Sequence, residues 1–376
     1  MTVASDLLGR LTYEGVSDLS EEAIAQWKDR GGRAIGWTCI YAPEELLHAA
    51  GILPVRIMGT PDPQSIADAY LPSNMCPFVR SCLGQGLTKS YQQLDGILSS
   101  HTCDAMVKLF DTWRLFVGAR FSFIIDQPHT DNRFAYGYLY EEMKRLVNEV
   151  EAFAGTKITS DALRNSIKLY NENRRLLKQL YELRKADNPP LVGSQVHGVV
   201  RAGMVLPKEQ HNAILRELLD ELPRSDAPKG KGPRLMISGS CIDTPIFPKI
   251  VEEAGGQLVV DDLCFGSRYF WDEVAEDGDP LEALSHRYLE KIPCGCIPLP
   301  RYSRYEFVRE LIKDYRVDGV IFFGQKFCDP YAYDFPDHQP LLEKDGIPVI
   351  QLEVEHASVG AGQLKTRVQA FVEMIR

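Results

Sequence analysis

Short apolar runs alternate with helically spaced apolar positions along most of this chain. Residues 33–40 (Arg-Ala-Ile-Gly-Trp-Thr-Cys-Ile) read as a buried strand. Pro43-Glu44-Glu45 then opens a helix, with proline in the first turn and acids at its positive end. That helix carries Leu46, Leu47, Ala49 and Ala50, stops at Gly51, and is followed by a second apolar run at 52–57. A strand–helix–strand unit of this kind predicts a parallel sheet. Strands are predicted again at 96–100 and 121–128, with a helix from about 77 to 94 and another from 104 to 113. At the N-terminus, Ser20-Glu21-Glu22 predicts the start of an amphipathic helix that ends at Gly31-Gly32.

From about 138 to 226 the texture changes to long, charged, leucine-spaced helices at 138–154, 160–185 and 208–222, broken by Pro189-Pro190. The Gly-, Pro- and Lys-rich stretch 225–233 reads as a flexible joint. A second α/β unit follows, with strands at 234–238, 257–262, 319–324 and 347–353. Helices are expected at 245–254, 304–315, 340–344 and 363–375. The expected class is α/β: two Rossmann-like domains with parallel sheets, plus helical additions. The expected division is an N-terminal helical segment 1–30, a first α/β domain 31–137, a helical connector 138–226 and a second α/β domain 227–376.

Length and composition fit this layout. A chain of 376 residues suggests two domains. It is 44% hydrophobic and 25% charged, within the ordinary globular range. No window approaches the apolar length of a membrane span, and the N-terminus does not read as a secretory signal, so a cytoplasmic protein is expected. A net charge of −10 without a basic block argues against nucleic acid as a partner.

Nine cysteines then need a reason, because disulfides are disfavoured in a reducing compartment. Cys103, Cys241, Cys264 and Cys328 follow predicted strands, where sites in open α/β sheets lie. Cys76 falls at a loop-to-helix start, where the helix dipole favours a thiolate. Paired zinc-type spacing is lacking, since Cys294-Gly-Cys296 has no partner pair. Thiolates from distant loops suit a [4Fe–4S] cluster with one iron left open.

Several segments match a known family in order and separation. They are residues 40–54 (Ile-Tyr-Ala-Pro-Glu-Glu-Leu-Leu-His-Ala-Ala-Gly-Ile-Leu-Pro), Cys76-Pro-Phe-Val-Arg-Ser-Cys-Leu-Gly, Thr102-Cys103-Asp104, Asp261-Asp262-Leu-Cys-Phe-Gly-Ser-Arg268, and Phe327-Cys328-Asp329-Pro330 through Pro336. Together they resemble the 2-hydroxyacyl-CoA dehydratase / benzoyl-CoA reductase family from about residue 30 onward. The resemblance implies one [4Fe–4S] cluster in this chain, held by Cys76, Cys103 and Cys328. It implies a heterodimer with a paralogous second subunit, an acyl-CoA substrate, and a separate ATP-dependent activator carrying its own bridging cluster. The activator would deliver low-potential electrons for radical chemistry. The favoured reaction is dearomatising reduction of an aromatic acyl-CoA, as in benzoyl-CoA reductases. Dehydration of an (R)-2-hydroxyacyl-CoA is the second reading, and a non-catalytic electron-relay subunit is a third. No Gly-x4-Gly-Lys-Ser/Thr or Gly-x-Gly-x-x-Gly loop is present, so neither ATP nor NAD is expected on this chain.

The remaining candidates are weighed against structural roles. His101, just before a ligand cysteine, is a candidate proton donor. Glu45 is a candidate catalytic carboxylate, against a helix-dipole role shared with Glu44. Arg268 and Lys326 are candidates for CoA phosphates or the thioester oxygen, against surface salt bridges. Cys82 and Cys39 read as core thiols, Cys264 as a packing neighbour of the site, and the Cys294/Cys296 pair as a surface loop. His48, Trp37 and Trp113 read as packing.

Overall fold

The computed structural model describes residues 3–62, 65–224, 232–298, 300, 303–355 and 360–375. Two four-stranded, all-parallel sheets organise the chain. The first holds β1 (Arg33–Trp37), β2 (Ile52–Arg56), β3 (Gly96–Ser100) and β4 (Phe121–Ile125), in the order β2-β1-β3-β4. The second holds β5 (Arg234–Gly239), β6 (Gln257–Asp262), β7 (Gly319–Gln325) and β8 (Val349–Val354), in the order β6-β5-β7-β8. The two sheets therefore share one topology, and each reverses direction of winding at its first strand. Crevices open at the carboxyl ends of strands beside such reversals. Buried strands read as continuous apolar runs, which is why all eight were legible in the sequence.

The helices show where local signals mislead. A short helix Val3–Arg10 comes first, and the next runs from Tyr13 to Asp29 rather than from Ser20, because Thr12 is the cap and its hydroxyl accepts from Gly15 N at 3.2 Å. Asn132 caps the long helix Arg133–Ala154 in the same way. The helix expected at 340–344 is the end of a longer one, Asp329–Lys344, which contains Pro336 and Pro340. Proline ordinarily marks a helix start, yet tertiary packing of Tyr331, Phe335 and Leu342 carries this helix through both. Helices Gly193–Gly203 and Pro280–Glu290 go beyond those the apolar spacing predicts. Most of the expected flexible joint at 225–233 lies outside the described residues.

The helix Ser160–Glu182 ties the halves together. Its Asn171 Nδ2 donates to the Val274 carbonyl at 2.7 Å, and its Tyr181 hydroxyl donates to Asp261 on β6. Arg174 on the same helix pairs with Glu45 on the first half. One continuous apolar core spans residues of both sheets. No helix among the described residues is long and apolar enough to cross a membrane.

Candidate metal centre

Cys76, Cys103 and Cys328 each cap the N-terminus of a helix: Pro77–Leu87, Asp104–Thr112 and Asp329–Lys344. They come from separate turns after different strands, one of them in the second sheet. The fold brings all three to the wall of one pocket of about 310 Å³. Met75, Phe327 and Tyr333 form its apolar wall, and Cys296 lines it as well. Three helix N-termini thus converge on one space, each presenting partial positive charge from unpaired N–H groups. That is a cradle for an anionic group.

Two local devices fix these positions. Pro77 and Pro330 sit in the first turns of their helices, where a missing N–H costs nothing. Phe327 adopts φ +60°, a left-handed conformation uncommon outside glycine. This turn puts Cys328 at the pocket wall immediately after β7. Gln325 at the end of β7 links both halves: its Nε2 donates to the Cys241 carbonyl at 2.9 Å, and its Oε1 accepts from Phe78 N at 3.4 Å.

The thiols feel this environment differently. Burial pushes the Cys76 thiol well up, and the neighbouring Cys328 and Cys103 sulfurs push the same way, against the N–H groups of Val79 and Phe78. Burial raises Cys328 to about 12, opposed by the Ser240 hydroxyl. Cys103 is lowered, chiefly by a hydrogen bond from Cys296, which outweighs burial. Gathering three thiolates with no cation between them is unfavourable, so a bound metal would supply the missing charge.

The residues supply a donor set that an iron–sulfur cluster would accept, with three cysteines on one pocket wall. Among the described residues no group of three or more His, Cys, Asp or Glu side chains is gathered so as to hold a single metal ion. A cubane places each thiolate on a different iron, so its ligands stand farther apart and surround a volume. An apolar wall with sulfur donors from three directions has that form.

The other sequence candidates fall elsewhere. His101 is half-exposed and absent from the pocket lining; its Nδ1 lies 2.9 Å from Asp126 Oδ1. Glu45 is wholly buried, bound to Arg174 and accepting from the Tyr288 hydroxyl at 2.9 Å. Burial alone would raise its carboxyl, but the Arg174 and Arg287 guanidiniums outweigh it and hold it down. Arg268 is enclosed too: its Nε lies 2.8 Å from Asp262 Oδ1, both side chains with no exposure. The reading of Arg268 as a phosphate ligand finds no open surface there. Lys326 is half-exposed and pairs with Glu355 at 3.1 Å. Cys82 is buried in the core, as expected.

One expectation is corrected. Cys294 and Cys296 are not a surface loop. Cys294 is 3% exposed, and Cys296 stands in the pocket beside Cys103. The Cys-Gly-Cys spacing is visible in the sequence, but no periodicity around it shows which way the segment faces.

Sequence comparison decides the family. The profile of the 2-hydroxyglutaryl-CoA dehydratase D-component family matches residues 39–375. The chain belongs to that family. It is similar to a benzoyl-CoA reductase subunit of Thauera aromatica, 31% identical over 96% of this chain and 95% of that one. The (R)-phenyllactyl-CoA dehydratase beta subunit of Clostridium sporogenes is 28% identical over 92% of each chain. The beta subunit of (R)-2-hydroxyglutaryl-CoA dehydratase from Acidaminococcus fermentans is 27% identical over 96% and 98%. The family implied by the sequence motifs is therefore the one found, and the chain is a component of an enzyme of this family.

Proposed function

We propose that this chain is the iron–sulfur subunit of an enzyme that transforms an acyl-CoA by radical chemistry, with Cys76, Cys103 and Cys328 holding one [4Fe–4S] cluster. The observation that carries the reading is the convergence of three helix-capping cysteines, from both halves of the chain, on one pocket with an apolar wall. Bound there, the cluster supplies low-potential electrons and one open iron site.

The chain's own residues set the conditions. Helix N-termini stabilise the anionic sulfurs. Met75 and Phe327 keep water from them and lower the local dielectric. Tyr333, 80% exposed at the rim, and the half-exposed Phe327 give the mouth an apolar lip. That lip suits a paralogous partner subunit, in keeping with the relatives, which are themselves named as subunits of larger enzymes. An ATP-dependent activator is the proposed electron source. His101 is the proposed proton donor, oriented by Asp126.

Reductive dearomatisation of an aromatic acyl-CoA, as in the Thauera aromatica relative, is the favoured reaction. Dehydration of a 2-hydroxyacyl-CoA is the second reading, supported by the two dehydratase subunits of similar coverage. The reconstituted complex with activator and ATP, assayed with benzoyl-CoA and with (R)-phenyllactyl-CoA, separates them. Turnover of the hydroxyacyl ester alone would exclude the favoured reaction. Turnover of neither, with an intact cluster, would favour an electron-relay subunit.

A further inference from the structure

A second cavity, of about 180 Å³, shares no lining residue with the metal centre. It lies between the helix Tyr13–Asp29, the end of β2, and the helices Pro77–Leu87 and Gly193–Gly203. Val16, Ile24, Met58 and Val205 give it an apolar wall. Ser17, Ser20, Glu21 and Ser90 line it too, and their exposure to water marks its mouth. Tyr91 fixes the wall in place: its hydroxyl donates to the Met58 carbonyl at 2.9 Å and accepts from Met58 N at 2.8 Å.

Arg201, in the last turn of the helix Gly193–Gly203, lines this cavity and is 2% exposed. Its guanidinium lies over the Tyr13 ring at 4.5 Å, and its Nη2 donates to the Met58 sulfur at 3.3 Å. The charged head therefore sits between two residues of the cavity wall. A thioether is a weak acceptor. Nε and Nη1 have no hydrogen-bond partner, and Arg201 has no ion pair with a carboxylate among the described residues. Arg56, also 2% exposed, lines the same cavity with its Nε and Nη1 unpartnered, and its charge rests on the rings of Trp37 at 4.6 Å and Phe265 at 4.9 Å. The buried carboxylate of Asp243 accepts from Gly59 N at 2.7 Å and contributes one negative charge against these two guanidiniums. Glu21 is exposed, so water and salt screen its charge. Burying a cation without an anion is strongly disfavoured, and the enclosed charge here is positive.

We propose that this cavity binds a small organic monocarboxylate with an apolar body, held by Arg201. Its volume sets the size of the guest. An apolar cavity of about 150 Å³ accepts benzene, so a ring-sized body with one carboxylate fits. Drug-sized ligands need about 300 Å³ or more, which excludes an intact CoA ester. The planar guanidinium matches a carboxylate in geometry as well as charge, and the guest's body would lie against Val16, Ile24, Met58 and Val205. The site stands independently of the cluster reading, because no cysteine lines it.

The test is calorimetric titration of the anaerobically purified full-length protein with benzoate, with benzamide as its neutral isostere, and with inorganic phosphate. Benzoate should bind at one site per chain. Benzamide should bind more weakly by about tenfold or more, the worth of a hydrogen bond to a charged group. Arg201→Gln should lose benzoate binding. Ser20→Phe fills the mouth from a half-buried position and should lose binding at an unchanged Tm, which keeps the test decisive where Arg201→Gln fails to fold. Benzamide binding as tightly as benzoate, or phosphate binding without benzoate, overturns the carboxylate assignment. Benzoate binding that persists in both variants puts the ligand elsewhere and overturns the site, as does the absence of binding by all three probes. None of these readouts involves iron, so their failure leaves the cluster reading standing.

Discussion

Cys103 and Cys296, far apart in the sequence, stand together on the wall of one pocket. This placement separates the cysteines that matter from those that merely sit nearby along the chain. Cys82 is close to Cys76 in sequence and shares its helix, yet it is fully enclosed in core. Replacement of Cys76, Cys103 or Cys328 by alanine should therefore remove about four irons per chain and the accompanying visible absorbance. Cys82→Ala should cost stability alone, read as a lower Tm with unchanged absorbance. Loss of iron in Cys82→Ala would refute the ligand assignment.

Glu45 and Arg174 form a buried pair at the junction of the first sheet and the long helix. Removing one partner leaves an uncompensated charge, a loss of about 3–5 kcal/mol. Arg174→Met should lower the denaturation midpoint accordingly. The double change Glu45→Gln with Arg174→Met should recover part of the loss, since no lone carboxylate remains. Recovery of stability with near-normal turnover would assign Glu45 to the fold; full stability with abolished turnover would restore it as a catalytic group.

Asp262 is held by Arg268 and Arg304, and Arg304 also holds Asp334 at 2.9 Å. Burial would raise the Asp262 carboxyl, but the two guanidiniums pull it well below its ordinary value. A depressed carboxylate contributes stability that is present above its unfolded pKa, about 3.9, and lost as pH falls toward the folded one. Acid unfolding of the wild type should steepen below about pH 4. Asp262→Asn should be less stable at neutral pH and should show a shallower acid limb, measurable by denaturant titration at several pH values.

His211 is buried, with its Nε2 bonded to the Val199 carbonyl at 3.0 Å and its Nδ1 2.7 Å from Asn173 Nδ2. Burial and the nearby Lys208 hold its pKa down to about 3. Between that value and the ordinary one near 6.5, the unfolded chain takes a proton that the fold refuses. Stability should fall as pH drops below about 6.5, and His211→Gln should flatten that slope. An unchanged slope would mean the ring is protonated inside the fold.

His101 lies outside the pocket lining, two residues before Cys103 on its wall. As a general acid it should contribute about 100-fold or more to turnover. His101→Asn should lower the rate of the reconstituted complex by such a factor with iron content unchanged. A full rate in that variant removes His101 from the reaction.

The alternation of apolar runs with helical spacing was enough to read eight strands, because a parallel sheet buries both faces and leaves uninterrupted apolar segments such as 258–260. The strand-end positions of Cys103 and Cys328 followed from the same pattern, and motif matches named them with Cys76. Sequence by itself thus determined the fold class and the family, and it named three thiols that the fold brings to one pocket. It did not determine which way residues 294–296 face, because that segment has no periodicity of its own and its direction is set by packing against Tyr331 and the pocket wall. Nor did it separate Arg268 and Glu45 from surface charges. A charged side chain looks the same in sequence whether it meets water or a buried partner from another element. Only the tertiary structure pairs Arg268 with Asp262, pairs Glu45 with Arg174, and encloses Arg56 among the rings of Trp37, Phe78 and Phe265.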